Sequence, residues 1–468
     1  MPQSIRQVQP KLQFIAPNFN PWILKAVYWV LPVVMRLRLR PWLPAGISRV
    51  EVEHIETLVE LYQQFQAGKI RFLMACRHVE VDDPLCGLHL LSRAVPKAAR
   101  QQGVSLQQPL HTHFVYERGM TIWGGDWLGW LLSRLGGVPI HRGRRPDWTG
   151  LRAARKLMAE GRSPMVVAPE GATNGHSEQL GPLEPGVAQL GFWCVEDLQK
   201  ANRPEAVVVV PIGIQYYYEQ ADWQRLGQLL AQLETDSGLP AETTVMGTDS
   251  SDRCYQRLLR LGEHLLTQLE QFYSRFYHQV LPVPALSESA ALPERLAARL
   301  DVLRETALQV AETYFNIRPR GNQVDRCRRL EEVGWMHIYR EDITDLQALS
   351  KLEQGLADWV AEEASLRLLH MRLVESVVAI NSEYVTQKPS FERLAETALL
   401  LFDVLARVRG DKLPQRPRLG DRWVQMTIGE PISVSDRWPN YQGNSRAARR
   451  AVADLTEELR VALEGMIP

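Results

Sequence analysis

Between residues 70 and 212 the chain alternates short apolar runs with longer stretches whose apolar positions recur every three or four residues. The runs Phe72-Leu73-Met74-Ala75, His113-Phe114-Val115-Tyr116, Pro164-Met165-Val166-Val167-Ala168 and Val207-Val208-Val209-Val210-Pro211-Ile212 read as strands. Apolar strands without polar alternation are buried on both faces, the habit of parallel sheets. Helical spacing is read at 53–67, 84–100, 148–160 and 182–200. The pattern predicts an α/β fold with a largely parallel sheet flanked by helices. Ligands bind such sheets beyond the carboxyl ends of the strands, so residues that follow a strand are the first candidates for chemistry.

At about residue 219 the texture changes. Helical patterns dominate at 223–233, 255–276, 292–315, 346–380 and 391–408, with breaks at Pro282, Pro284 and Pro319. Residues 422–432 then read as a strand and turn, and 446–466 as a closing amphipathic helix. A chain of 468 residues has room for two or three folding units. The expected organisation is an α/β domain at 49–218, a large helical insertion at 219–415, and a strand and helix at 416–468 that complete the α/β domain. Two independent domains in tandem are the alternative.

Composition narrows the partners. Lys+Arg and Asp+Glu both total 54, which gives no bulk charge for nucleic acid. The five cysteines are scattered without a C-x-x-C pair, arguing against a zinc site or a disulfide framework and for a reducing compartment. The segment 1–48 adds a membrane. Its apolar stretch at 21–35, interrupted by Lys25 and Pro32, is shorter than the roughly 20 residues of a spanning helix, and no cleavage site follows it. Trp22, Trp29 and Trp42 with Lys25, Arg36, Arg38 and Arg40 suit a helix lying in a bilayer interface. The expectation is peripheral or monotopic attachment to the cytoplasmic face of a membrane, with membrane lipids as partners. A buried core helix with a basic tail is the competing reading.

The candidate chemistry begins directly after the first strand, at Cys76-Arg77-His78-Val79-Glu80-Val81-Asp82-Asp83-Pro84. A histidine whose Nδ1–H is held by a carboxylate can take a proton from a hydroxyl through Nε2. Asp83 is the preferred partner of His78 and Asp82 the alternative; Asp83 can also cap the helix that Pro84 opens. The same spacing recurs at His337 and Asp342, but in the helical region and without strand-end motifs, so that copy reads as structural. Cys76 and Cys86 read as small core residues rather than nucleophiles. Trp123, Trp127 and Trp130 fall on one helical face and read as core, with an acyl groove or membrane contact as alternatives.

Four ordered blocks then resemble the glycerolipid acyltransferase family of the lysophosphatidic acid acyltransferase type. H-x4-D is matched by His78 and Asp83. The glycine, hydrophobic and arginine block is matched by Gly136, Ile140 and Arg142, with Pro139 in place of an aromatic. F-P-E-G-T-R-S is matched by Pro169, Glu170 and Gly171, followed by Ala172-Thr173-Asn174 in place of T-R-S. The strand ending in V-P is matched by Val210-Pro211, and the later G-E-P-I by Gly429 to Ile432.

The resemblance implies the glycerolipid acyltransferase fold and transfer of a fatty acyl group to the free hydroxyl of a lysophospholipid. The donor is a thioester of acyl carrier protein or coenzyme A, and the first-choice acceptor is 1-acylglycerol 3-phosphate, giving phosphatidic acid. His78 is then the general base and Asp83 its orienting carboxylate. Arg142, Arg144, Glu170, Gly171, Thr173 and Asn174 bind the acceptor, and the chemistry needs no metal or bound cofactor. Another lysophospholipid or a lipid alcohol is the alternative acceptor. A catalytically inactive membrane-bound scaffold is the alternative of a different class.

Overall fold

The computed structural model describes residues 7–37, 46–141, 147–242, 250–287, 289–343, 345–377, 382–411 and 415–468. They fall into two compact units: Phe14–His141 with Asp147–Gln220 and Gly420–Pro468, and a second built mainly from Ala221–Leu419.

The first unit is organised on one sheet. Among the described residues its strands are β1 (Ile47–Glu53), β2 (Ile70–Cys76), β3 (His113–Glu117), β4 (Gly137–Ile140), β5 (Met165–Val167), β6 (Ala206–Tyr218), β7 (Arg422–Ile428) and β8 (Ile432–Ser433). They lie in the order β1-β7-β6-β2-β5-β3-β4, with β8 beside β6. The pairs β1/β7, β2/β6, β2/β5, β3/β5 and β3/β4 are parallel; β6/β7 and β6/β8 are antiparallel. The expected fold class is therefore the one observed, a mostly parallel sheet flanked by helices.

Alternation along β2 shows why its apolar run must be continuous. Phe72 and Met74 join Leu58, Tyr62 and Val210 on one face, while Leu73 and Ala75 join Val138, Phe192 and Val209 on the other. Successive side chains of a strand point to opposite faces, so a sheet covered on both sides leaves no polar position between them. The helices Ile55–Gln66, Trp148–Glu160, Gly186–Lys200 and Ser445–Glu464 supply the covering layers.

Four features depart from the expected elements. Strand β1 is additional, although its Val50-Glu51-Val52-Glu53 alternation is a period-two signal. Strand β6 does not end at Val210-Pro211: it runs to Tyr218, with Pro211 opposite Ala75, and its outer half pairs with β7. Pro211 lacks an N–H, but its carbonyl accepts from Gly429 N at 2.9 Å. The expected single helix through Trp123, Trp127 and Trp130 is broken at Gly125, whose φ of 81° separates Met120–Gly124 from Asp126–Arg134. The Trp123 side chain lies outside the described residues. In the helical unit Gln323–Ile338 is an additional helix, opened by a capping box between Asn322 and Asp325.

That unit packs Leu303, Leu308, Ala311, Leu330, Ala361, Ala364 and Met371 into its own core. Charged residues buried within it are paired, Arg326 with Glu312 and Arg257 with Glu234, each at 2.8 Å.

Gly429 holds the sheet's closing turn against β6. A Cβ there would lie 2.8 Å from Pro211 Cγ and 3.2 Å from its carbonyl oxygen, as well as 2.3 Å from Met466 Cε. Gly429→Val is expected to destabilise the protein by about 1–3 kcal/mol, measured by urea unfolding; unchanged stability would contradict this packing.

Candidate functional site

Strand β2 ends at Cys76, and the chain turns before the helix Asp83–His89. His78 Nδ1 lies 2.9 Å from Asp83 Oδ2, so the pair joins the two ends of this turn. Asp83 is buried, and its carboxylate also accepts from Glu80 N at 3.1 Å and from the Tyr216 hydroxyl at 2.7 Å. The expected capping role is corrected by this geometry. The N-cap position belongs to Asp82, neither side chain caps the helix, and Asp83 turns back to the histidine. Asp82 is not the histidine's partner, because its Oδ2 accepts from Arg422 at 2.9 Å. The imidazole remains 29% exposed, and Nε2 meets no hydrogen-bond partner among the described residues.

The parallel register brings the end of β5 and the middle of β6 beside the end of β2: Ala75 lies opposite Val167 of β5 and Cys76 opposite Ile212 of β6. The loop after β5 is bonded directly to the histidine turn. Asn174 N donates to His78 O at 3.2 Å, and Gly175 N to Val79 O at 3.0 Å. Glu170 Oε1 accepts from His78 N at 2.9 Å. Arg77, fully buried, reaches the carbonyls of Ser177 and Gln179 at 2.6 Å each, with its Nε 4.0 Å from Glu170. A guanidinium suits this place because its fork can serve several acceptors while carrying the charge that balances a buried carboxylate.

Residues 49–215 match the family model described as Acyltransferase. The sheet unit thus carries an acyltransferase domain. The matched segment contains the His78–Asp83 pair and the Glu170 loop, and stops before the helical unit. No curated protein matches the chain.

Within the acyltransferase domain, two of the expected acceptor-binding residues are engaged by the protein itself. Glu170 is buried and turned inward: besides His78 N it accepts from Asn174 Nδ2 at 2.8 Å and Gly181 N at 2.7 Å. Burial pushes its carboxyl up, opposed by Arg77 and these donors. It braces the loop. Asn174 is likewise committed, its amide donating to Glu170 and to Gln179 O at 2.7 Å. Thr173 stays exposed, and Gly171 takes a φ of 73° in the turn between β5 and these groups. Arg142 and Arg144 lie outside the described residues. In sequence they follow His141, whose N donates to Asp147 Oδ2 at 3.0 Å, and Arg118 also pairs with that carboxylate.

The remaining candidates separate clearly. Burial pushes the thiols of Cys76 and Cys86 up, which disfavours the nucleophilic thiolate. His337 Nδ1 bonds Val333 O at 2.8 Å while Asp342 takes Arg340 at 2.6 Å, so the second H-x4-D copy forms no dyad. Trp127 and Trp130 are exposed rather than core. Sequence reasoning missed Tyr216 and Arg422, which meet the carboxylates of the histidine turn. Arg422 stands in a run that reads only as strand, Tyr216 lies beyond the run read as one, and neither belongs to a motif.

Arg77→Met removes the cation and the donors together, leaving Glu170 and buried carbonyls without compensation. The expected loss is about 3–5 kcal/mol of stability, read by thermal or denaturant unfolding; a loss below about 1 kcal/mol would reject the bracing role.

Proposed function

We propose that the acyltransferase domain moves a fatty acyl group from an acyl thioester, carried by acyl carrier protein or coenzyme A, to the free hydroxyl of a lysophospholipid. The observation that carries this reading is the His78–Asp83 pair, with Nε2 open at a strand end, inside the segment that matches the Acyltransferase model. Asp83 fixes Nδ1 as the protonated nitrogen, so Nε2 takes the acceptor's hydroxyl proton as its oxygen attacks the thioester carbonyl. The tetrahedral intermediate expels the thiolate, which recovers the proton from His78. No enzyme nucleophile is required.

The first-choice acceptor is 1-acylglycerol 3-phosphate, giving phosphatidic acid. Arg142 and Arg144, which follow His141 in sequence, supply the cations for its phosphate in this reading. Another lysophospholipid or a lipid alcohol is the rival acceptor. With Glu170 and Asn174 engaged within their own loop, headgroup recognition in this reading rests on Arg142 and Arg144.

The substrates are membrane lipids, and the surface suits an interface. Among the described residues no helix is long and apolar enough to cross a membrane. The helix Pro21–Arg36 is capped by Asn20 and buries Leu24, Leu31 and Met35 against its own unit. Its opposite face exposes Trp22 (74%), Trp29 (80%) and Val33 (53%), with Lys25 over the Trp22 ring. Aromatic rings beside a cation are what a headgroup layer accommodates. Arg38, Arg40 and Trp42 lie outside the described residues.

Two experiments test the reading. Acyl transfer to lysophosphatidic acid, assayed with both thioester donors in detergent or liposomes, is expected for wild type and His337→Ala. His78→Ala should lose about 100- to 10,000-fold. No transfer to any acceptor in a lysophospholipid and alcohol panel would favour the inactive scaffold. Separately, the double change Trp22→Ala and Trp29→Ala is expected to weaken liposome partitioning about tenfold or more, since burying one large apolar side chain is worth about 1.5–3 kcal/mol. Unchanged sedimentation with vesicles would remove this helix from the interface.

A further inference from the structure

We propose that Tyr216 and Arg422 are positioning residues for the His78–Asp83 pair, Tyr216 through its hydrogen bond to Asp83 and Arg422 by neutralising the carboxylates packed beside it. The inference deepens the reading of His78 as general base and rests on it.

The histidine turn holds three acidic residues in four positions, Glu80, Asp82 and Asp83, and all three are buried. Carboxylates crowded in a dry turn repel one another and lose hydration, so they take up protons or the turn opens unless a cation meets them. Arg422 is that cation. It is itself buried, donates to Asp82 Oδ2 at 2.9 Å, stands 3.6 Å from Glu80, and lies over the Tyr216 ring at 4.7 Å. The Tyr216 hydroxyl continues the chain of contacts to Asp83 Oδ1 at 2.7 Å. Asp83 therefore spends one oxygen on tyrosine and the other on histidine and Glu80 N, which fixes the carboxylate plane and with it the imidazole.

The charged and titratable groups around Asp83 are His78, Glu80, Asp82 and the Cys76 and Cys86 thiols from its own turn and the flanking elements. Tyr216 comes from β6 and Arg422 from β7. Even with Arg422 present, burial pushes Asp82 up to about 7.

Transfer needs the imidazole neutral, so protonating it stops the reaction. Removing the Tyr216 hydroxyl leaves Asp83 a stronger partner for the protonated ring, and removing the Arg422 cation acts in the same direction. Both changes move the acid limb of the rate profile to higher pH. Replacing Asp82 as well as Arg422 removes the buried carboxyl that has lost its partner and so lets the turn close again.

The experiment compares wild type, Tyr216→Phe, Arg422→Met, Arg422→Lys and the double variant Asp82→Asn with Arg422→Met. It measures kcat and KM for acyl transfer against pH. It also follows the His78 imidazole titration by NMR on histidine-labelled protein, assigned with His78→Ala. Tyr216→Phe is expected to lower kcat about tenfold, with KM within about twofold, and to move the acid limb of the rate profile and the imidazole midpoint to higher pH. Arg422→Met should lose more, Arg422→Lys less, and the double variant should recover part of the loss.

Wild-type kcat and an unmoved imidazole midpoint in Tyr216→Phe would overturn the inference. So would a double variant no better than Arg422→Met with both folded. Should Arg422→Met fail to fold, Tyr216→Phe decides alone. Should wild type transfer no acyl group, the acyltransferase reading fails by itself, and the NMR midpoints still decide whether these residues set the state of the pair.

Discussion

A charge placed in a dry turn must be met by a partner, and the turn after β2 buries four of them: Arg77, Glu80, Asp82 and Asp83. An unpaired buried ion costs several kcal/mol, so the surrounding elements are constrained to deliver counter-groups. The carbonyls of Ser177 and Gln179 and the carboxylate of Glu170 meet Arg77; Arg422 meets Asp82 and Glu80; Tyr216 and His78 meet Asp83. The geometry of the histidine is the outcome of these pairings. His78 is held through its own backbone N by Glu170 and through Nδ1 by Asp83, and the nitrogen left over faces outward.

The sheet decides where those partners come from. Parallel pairing of β2 with β5 sets the carboxyl ends of these two strands side by side, with β6 along the other edge of β2, which brings the Glu170 loop against the histidine turn. The extension of β6 past Pro211 then pairs antiparallel with β7, with Tyr216 opposite Val424 and Tyr218 opposite Arg422. The chain leaves the sheet after β6 and returns at β7, so Tyr216 and Arg422 stand at the two ends of the helical segment between those strands. A strand contributed by the last fifty residues therefore supplies the cation of a turn near the start of the domain.

Outside the charged turn, the surface divides by the same physical reasoning applied to apolar groups. The helix Pro21–Arg36 has apolar residues on two faces, one spent on packing against the sheet unit and the other left to solvent. A helix of that kind cannot be explained by its core contacts alone, and in a protein whose substrates are proposed to be lipids its uncovered tryptophans face a suitable solvent.

Local pattern by itself determined the strands β2, β3 and β5, the start of β6, the helices Trp148–Glu160 and Phe391–Val408, and the presence of a histidine, carboxylates and glycine at strand ends. Those features depend on periodicities of two to four residues and on turn chemistry, and a sequence displays them directly. Only the tertiary structure decided which carboxylate the histidine holds, that Glu170 and Asn174 turn inward, that β6 continues beyond its proline, and that Tyr216 and Arg422 close the turn. Glu170 is 92 residues from His78, Tyr216 is 133 from Asp83, and Arg422 is 340 from Asp82. Pairings at such separations are set by strand order and by the need to neutralise buried charge, and neither leaves a local period along the chain.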